Sequence, residues 1–230
     1  MEKCVAIITA RGGSKRIPRK NIKDFLGKPI LAYSVAAALE SGCFDEVMVS
    51  TDCREIAEVA VSYGARIPFF RSASTSDDMA TTAEVLVEVV NDYIGLGIEY
   101  THACCIYPTA PFVTAEKLRN GYQRLIESDA DSVLPVVRFG YPIQRALRIQ
   151  NGKLSMIWPE QMNTRSQDLP PTYHDCGQFY WFTVSRFLET RKLFSERTVP
   201  ILLPESEVQD IDNEEDWKIA EMKYRLMSKQ

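Results

Sequence analysis

Residues 4–21, CVAIITARGGSKRIPRKN, decide the fold class. The first six form a continuous apolar, β-branched run that stops at Arg11-Gly12-Gly13. A strand without polar alternation has both faces buried, the condition of a strand inside a parallel sheet. The next segment changes period: Pro29 suits a first helical position, ILAYSVAAALES follows, and Gly42 ends it. Working outward, the pattern predicts strands at 46–50, 66–70, 103–107 and 132–137. Helices are predicted at 53–63, 79–95 and 115–127, the second aligning Ala83, Leu86, Val87, Val90 and Tyr93 along one stripe. This alternation predicts an α/β fold, a three-layer α/β/α arrangement around a mostly parallel sheet.

The rhythm breaks after Val137. Residues 138–176 are rich in Pro, Arg, Tyr and Asn and hold only a short strand pair around 145–157, turned at Asn151-Gly152. They read as a lobe inserted into a single domain of residues 1–230. The chain then resumes with strands at 178–184 and 199–203 and a last helix from about 213, with Trp217, Ala220, Tyr224 and Met227 facing inward. A two-stranded projection cannot bury both its faces, and Phe139, Tyr141, Leu147, Ile149, Met156, Ile157 and Trp158 are more apolar surface than a solvated loop exposes. A symmetric homodimer built through this lobe is therefore expected.

The chain has 230 residues, 45% hydrophobic and 25% charged, which excludes a disordered or fibrous protein. With 27 basic and 31 acidic residues the net charge is −4, so no nucleic-acid or anionic-membrane partner is indicated. The N-terminal apolar run is too brief for a signal-peptide core and no stretch is long enough to span a membrane, so a cytoplasmic protein is expected. Six cysteines without C-x-x-C spacing read as reduced thiols, not a zinc site.

Charge is informative locally. Between Arg11 and Lys28, seven cations face one anion, Asp24, for a local charge of +6, which leaves −10 on the remaining 212 residues. One basic loop on an acidic body suits a compact polyanion such as a nucleoside triphosphate. The loop is neither a Walker A motif nor G-x-G-x-x-G. It lies beyond the carboxyl end of a strand, where ligands of open α/β sheets bind, and its paired glycines let backbone N–H groups approach phosphate oxygens. Arg11 and Lys20 can oppose the charge of a leaving pyrophosphate. The alternative is a solvated basic turn, which the strand-end position and the Gly pair disfavour. Late in the chain, Asp210 and Asp212 in VQDIDNEEDW would share one side of an extended segment and reach one divalent ion. Asp212 or Asn213 also suits a helix N-cap, with Glu215 or Asp216 reaching back.

A-R-G-G-S-K-x-x-P-x-K-N after the first strand resembles the signature of the CMP-sugar-acid synthetases, cytidylyltransferases that activate nine-carbon sugar acids. The resemblance continues through Lys28-Pro-Ile-Leu-Ala-Tyr-Ser, Ser50-Thr-Asp52, Phe70-Arg71 and Pro108-Thr-Ala-Pro111, and ends at Asp210-Ile-Asp212. It implies a nucleotidyltransferase that passes CMP from CTP to the anomeric hydroxyl of a nonulosonic acid and releases pyrophosphate. It places Ala10, Arg11, Gly12, Gly13, Ser14, Lys15 and Asn21 around the triphosphate and ribose, and Arg71, Ala80 and Thr82 near the cytosine and sugar of the nucleotide. It also implies that Asp210 and Asp212 carry a catalytic Mg²⁺. Sialate-activating members carry Gln where this chain has Tyr107, and the run Tyr173-His-Asp-Cys-Gly-Gln-Phe-Tyr-Trp181 also departs from them; this variant is similar to the pseudaminic acid cytidylyltransferases. On the acceptor side, Arg145 or Arg165 can hold a sugar carboxylate bidentately and Gln178 can hydrogen-bond an acylamino group. Phe179 and Trp181, at strand spacing, read as core. His174 reads as a general base helped by Asp175, or as structural, and Asp77 and Asp78 as a turn or cap. The competing functions are a neuraminic or legionaminic acid synthetase and a non-catalytic nucleotide-binding protein on the same fold.

Overall fold

In the computed structural model, which describes residues 3–228, β1 (Cys4–Thr9) is the strand that its uninterrupted apolar run predicts. Ala6 and Ile8 point into one core and Val5 and Ile7 into the other. The chain continues through a two-residue strand pair, β2 (Asp24–Phe25) and β3 (Lys28–Pro29), into α1 (Ile30–Ser41). Pro29 is the residue ahead of the helix rather than its first, because it still pairs with Asp24 across the small ladder. Gly42 closes α1 in the left-handed conformation at φ 65°, as predicted for a C-cap.

β4 (Glu46–Ser50) and α2 (Arg54–Ser62) follow. The strand expected at 66–70 is reduced to one bridge, Met48 to Arg66, at the edge of the sheet. α3 (Thr82–Gly95) starts three residues later than the pattern suggests. Asp77 Oδ1 accepts the N–H groups of Met79 and Ala80, which holds those residues in a turn, and Thr81 and Glu84 then form a reciprocal capping box. Next come β5 (His102–Ile106), α4 (Ala115–Ser128) and β6 (Ser132–Arg138). The projecting segment holds a separate hairpin, β7 (Leu147–Gln150) and β8 (Lys153–Met156), and its last residues return to the main sheet as β9 (Tyr173–Asp175), antiparallel to β6. β10 (Phe179–Thr183), a short α5 (Val184–Thr190) absent from the sequence reading, β11 (Thr198–Leu203) and α6 (Glu214–Met227) complete the chain.

The main sheet has the order β11-β6-β10-β5-β1-β4, with β9 on β6. β1, β4, β5, β6 and β11 run one way, while β10 lies antiparallel between β5 and β6. α1, α2 and α4 cover one face and α3 and α5 the other, which is the expected α/β fold of three layers around a mainly parallel sheet. β1 lies between β4 and β5, so the chain leaves it to opposite sides and opens a crevice at the carboxyl ends of these three strands. α6 packs Trp217 and Ala220 with Ile17, Phe25 and Tyr33, and thereby anchors the basic loop.

Phe179 and Trp181 are core residues, as their spacing suggested. Trp181 stacks on Phe44 at 4.8 Å and its indole N–H donates to the Leu118 carbonyl on α4. It leaves no room on that helix, since a Cβ at Gly121 would lie 2.6 Å from the Trp181 ring. Gly121→Ala is therefore expected to destabilise the fold by about 1–3 kcal/mol through overpacking, despite the better helix propensity of Ala. Urea denaturation checks this; a stability equal to wild type would show that Trp181 can step aside at no cost.

Candidate active site

Three strand ends build one cleft. At the end of β1, Ala10 is buried and its N–H donates to the Ser50 carbonyl at the end of β4, at 2.9 Å. The Gly12 N–H donates to Asp52 Oδ1 at 2.8 Å, and a Cβ at Gly12 would lie 3.0 Å from that of Cys53. Close approach, not unusual backbone angles, is what calls for glycine there. Gly13 has no neighbour within 4 Å of a Cβ position. The buried Asn21 donates from Nδ2 to the Arg11 carbonyl at 2.8 Å, and Ser14 Oγ donates to the Ile17 carbonyl at 2.6 Å. The loop is thus tied down through its backbone, while its charged side chains reach across the cleft to partners on other segments.

The cleft has a volume of about 450 Å³ and is lined by Arg11, Ser14, Lys15, Lys20, Asn21, Arg71, Ala80, Thr82 and Tyr107, among others. These residues were singled out in the sequence, and the fold brings them together. Ala10, Gly12 and Gly13 lie behind them as the supporting turn. The opposite wall is acidic. Arg11 Nη1 donates to the Asp77 carbonyl and to Asp78 Oδ1, both at 2.8 Å, and Lys15 pairs with the same Asp78 carboxylate. Hydrogen bonds from Lys15 and then Arg11 hold the Asp78 carboxyl below its ordinary range. Asp77 does form the turn read from the sequence, but the role of Asp78 opposite the basic loop was missed. Charge complementarity with a +6 loop was the available signal.

Arg71 is buried; its Nε donates to Ser50 Oγ at 3.0 Å and its Nη2 to the Ser50 carbonyl at 2.7 Å. Burial lowers its pKa, against the pull of Asp52 and Glu88. Lys20 donates from Nζ to the Ile211 carbonyl at 2.6 Å, so it joins the cleft to the late acidic segment. Burial pushes the Lys20 ammonium down, while Asp212 and then Asp210 pull it back.

Ile211 points into the core at 1% exposure, and the carboxylates on either side of it keep access to solvent. Asp212 Oδ2 pairs with Arg16 at 2.8 Å. Burial and then the neighbouring Asp212 push the Asp210 carboxyl up. Neither residue caps α6. Asn213 does, accepting from the N–H groups of Glu215 and Asp216, while Asp216 Oδ2 accepts from those of Asp212 and Asn213. The two carboxylates are left as a hard, all-oxygen donor set beside the phosphate-type cations. Among the described residues no three or more His, Cys, Asp or Glu gather as a metal site. A cation held by two carboxylates that completes its shell with phosphate oxygens and water fits this arrangement, which is the habit of Mg²⁺.

Tyr107 also lines a second, larger cavity of about 960 Å³, together with Leu134, Val136, Tyr173, His174, Asp175, Tyr180 and Phe194. His174 is exposed there, its Nδ1 2.9 Å from the Asp175 carbonyl and its ring against Phe139. Three residues expected on the acceptor side lie elsewhere. Gln178 lines neither cavity: it is buried, and its Nε2 donates to the Glu207 carbonyl at 2.8 Å. The strand's mouth is closed over it by segment 205–207. Arg145 donates to the Thr164 carbonyl within the projecting segment, and Arg165 precedes a short 3-10 turn there. Within one chain neither arginine reaches the cleft. Tyr180 was not singled out, because an aromatic strand carries no local signal of a site; Asp175, read as support for His174, meets that ring only through its backbone carbonyl and gives its carboxylate to the Tyr180 hydroxyl.

Residues 5–197 match the family model described as cytidylyltransferase. The chain is 42% identical to a pseudaminic acid cytidylyltransferase of Campylobacter jejuni, over 97% of each chain. It is 32% identical to a CMP-N,N'-diacetyllegionaminic acid synthase of Legionella pneumophila, over 96% of each. A bifunctional Helicobacter pylori protein, a pseudaminic acid cytidylyltransferase joined to a UDP-sugar hydrolase, is 35% identical over 99% of this chain and 44% of its own length. The fold is that of a CMP:2-keto-3-deoxy-manno-octonic acid synthetase solved with CTP, at TM-score 0.70 and 15% identity over the whole of both chains.

Proposed function

The chain belongs to the cytidylyltransferase family, and from that premise we propose that it transfers CMP from CTP to the anomeric hydroxyl of pseudaminic acid, releasing pyrophosphate. The observation that carries this reading is the meeting of two unlike cavities at Tyr107: one small, polar and edged with cations, the other roomier and largely apolar. The first suits a nucleoside triphosphate and the second a sugar acid with deoxy and acylamino groups.

In this reading the hydroxyl oxygen of the sugar attacks the α-phosphorus, the bond from that phosphorus to the leaving oxygen breaks, and the hydroxyl proton is lost. Arg11, Lys15 and Lys20 oppose the charge that builds on pyrophosphate, from a loop whose backbone Asn21, Ser14 and Asp52 already hold, with phosphate oxygens taking the place of Asp78 against Arg11 and Lys15. Asp210 and Asp212 would hold a Mg²⁺ ion, which when bound withdraws charge from the transferring phosphate. Arg71, Ala80 and Thr82 serve the nucleotide, and Tyr107 stands between nucleotide and acceptor. A legionaminic acid acceptor is the second reading, favoured by the Legionella relative. The test is a panel of nonulosonic acids with CTP and Mg²⁺, followed by pyrophosphate release. Pseudaminic acid is expected to give the highest kcat/KM; release with no acid overturns the catalytic reading, and equal values for neuraminic acid overturn the acceptor assignment.

No helix among the described residues is long and apolar enough to cross a membrane; action in the cytoplasm is part of the proposal. A homodimer is part of the same proposal. In the β7–β8 hairpin Ile149 lies opposite Leu154 and Leu147 opposite Met156, so one face is aliphatic, with Ile149 74% exposed. A second copy would cover this face and bring Arg145 and Arg165 toward other surfaces. Sedimentation at micromolar concentration is expected to give a dimer for the wild type and a monomer for a variant carrying Ile149→Arg with Leu154→Arg. A wild-type monomer removes the proposal.

A further inference from the structure

A cleft suited to a polyanion has carboxylates in its wall. Asp77 and Asp78 line it opposite Arg11, Lys15 and Lys20. Asp77 is used within its own segment, where Oδ1 accepts the Met79 and Ala80 N–H groups at 2.8 and 2.7 Å and fixes the turn. Asp78, carried on that turn, points both oxygens at the basic loop. Its Oδ1 accepts from Arg11 Nη1 at 2.8 Å and its Oδ2 from Lys15 Nζ.

The other two cations of the loop that reach across the cleft meet the late acidic segment: Arg16 pairs with Asp212, and Lys20 donates to the Ile211 carbonyl. That segment keeps a task once a triphosphate arrives, because two carboxylates can share a divalent ion with phosphate oxygens. Asp78 has no second carboxylate beside it to share one, so next to phosphates its charge only repels. Nor does the position of Arg11 depend on Asp78. Its Nη1 also donates to the Asp77 carbonyl at 2.8 Å, and Asn21 holds its backbone carbonyl. Hydrogen bonds from Lys15 and Arg11 keep the Asp78 carboxyl ionised at neutral pH. Its side chain is 45% exposed and that of Lys15 80%, and ion pairs this open to water are weak enough to exchange for phosphate.

We propose that Asp78 is an internal counter-anion of the cleft: it occupies Arg11 and Lys15 when no triphosphate is present, is displaced by CTP, and takes both cations back as pyrophosphate leaves. This rests on the functional reading above and deepens it. Asp78 then sets affinity. Every ligand that uses these two cations must first break their pairs with Asp78, so CTP and pyrophosphate are both held more loosely than the bare loop would hold them, and the product is let go sooner.

The test uses the full-length protein with Mg²⁺ and no sugar acid, titrated in a calorimeter with CTP and, separately, with inorganic pyrophosphate. Asp78→Asn keeps the shape of the side chain and an acceptor oxygen but removes the charge. It is expected to lower Kd for both ligands about tenfold, the combined effect of two exposed pairs and one like charge, and the gain is expected to shrink at high salt. Asp78→Ser, which cannot reach the loop, is expected to act in the same direction, and Asp78→Glu, which keeps the charge, to bind no tighter than the wild type. In turnover with the sugar acid, Asp78→Asn is expected to show deeper inhibition by pyrophosphate. Equal or weaker binding in both Asp78→Asn and Asp78→Ser would show that the carboxylate steadies the cations for the nucleotide or does nothing to them, and would overturn the proposal while leaving the functional reading in place. A wild type that binds neither CTP nor pyrophosphate overturns the functional reading and this inference with it.

Discussion

Replacing Asp210 or Asp212 by Asn is expected to lower turnover by about 10³-fold while leaving the fold intact. The argument begins with what the two carboxylates are not used for. Asn213 caps α6 and Asp216 completes the capping box, so neither Asp210 nor Asp212 is needed to start the helix. Their surroundings disfavour a charge at Asp210, whose carboxyl is pushed up by burial and by Asp212. Both nonetheless lie beside cleft cations, Asp212 against Arg16 and the pair around the Ile211 carbonyl to which Lys20 donates, where a cation shared with phosphates would need them. Asp210→Asn therefore has a double signature, turnover lost with the melting temperature at or above that of the wild type, whereas Asp212→Asn also gives up the exposed Arg16 pair and is expected to melt at or slightly below it. Steady-state rates at saturating Mg²⁺ together with calorimetric melting check both halves. Rates near wild type in both variants would reduce the pair to loop residues.

Arg11→Ala is expected to lower kcat by about 10²-fold, with a smaller change in KM for CTP. The guanidinium projects over the cleft from the end of β1, where Asn21 holds the Arg11 backbone carbonyl and Nη1 donates to both the Asp77 carbonyl and Asp78 Oδ1. A donor held this way favours charge that develops during the reaction over charge already present in the bound nucleotide. If the loss appeared only in KM, Arg11 would be a ground-state triphosphate ligand and Lys20 the better candidate for the leaving group. Arg11→Lys separates charge from geometry, since a point charge cannot reproduce the planar fork of the guanidinium.

Most of the fold was readable because its signals are short-range. β1 declares itself by six apolar residues in a row, α1 by its closing glycine, and α6 by the acidic residues of its first turn. Errors arose where a competing local bond outweighed hydrophobic period. The stripe from Ala83 to Tyr93 is real, but Asp77 and the Thr81–Glu84 box moved the helix start from 79 to 82. At 66–70 the apolar residues had no second neighbouring strand to pair with, so only Arg66 bridges. That the basic loop edges a cleft was legible for the same reason as β1: the loop is contiguous, and strand-end position gives glycines and cations a meaning before any contact is known.

The amino-acid sequence by itself determined the family, the basic loop and the carboxylate pair, because each is carried by residues a few positions apart whose geometry a strand end or an extended segment sets. Tertiary structure alone decided which groups face each other. Asp78 meets Arg11 across 67 residues, Asp175 accepts from the Tyr180 hydroxyl, and Gln178 turns into segment 205–207 instead of into a cavity. The direction of β10 was equally unreadable, since a strand buried on both faces has the same pattern whether it runs with or against its neighbours. These outcomes depend on how layers close over one another, and a periodicity that says which residues are buried contains no information about what they are buried against.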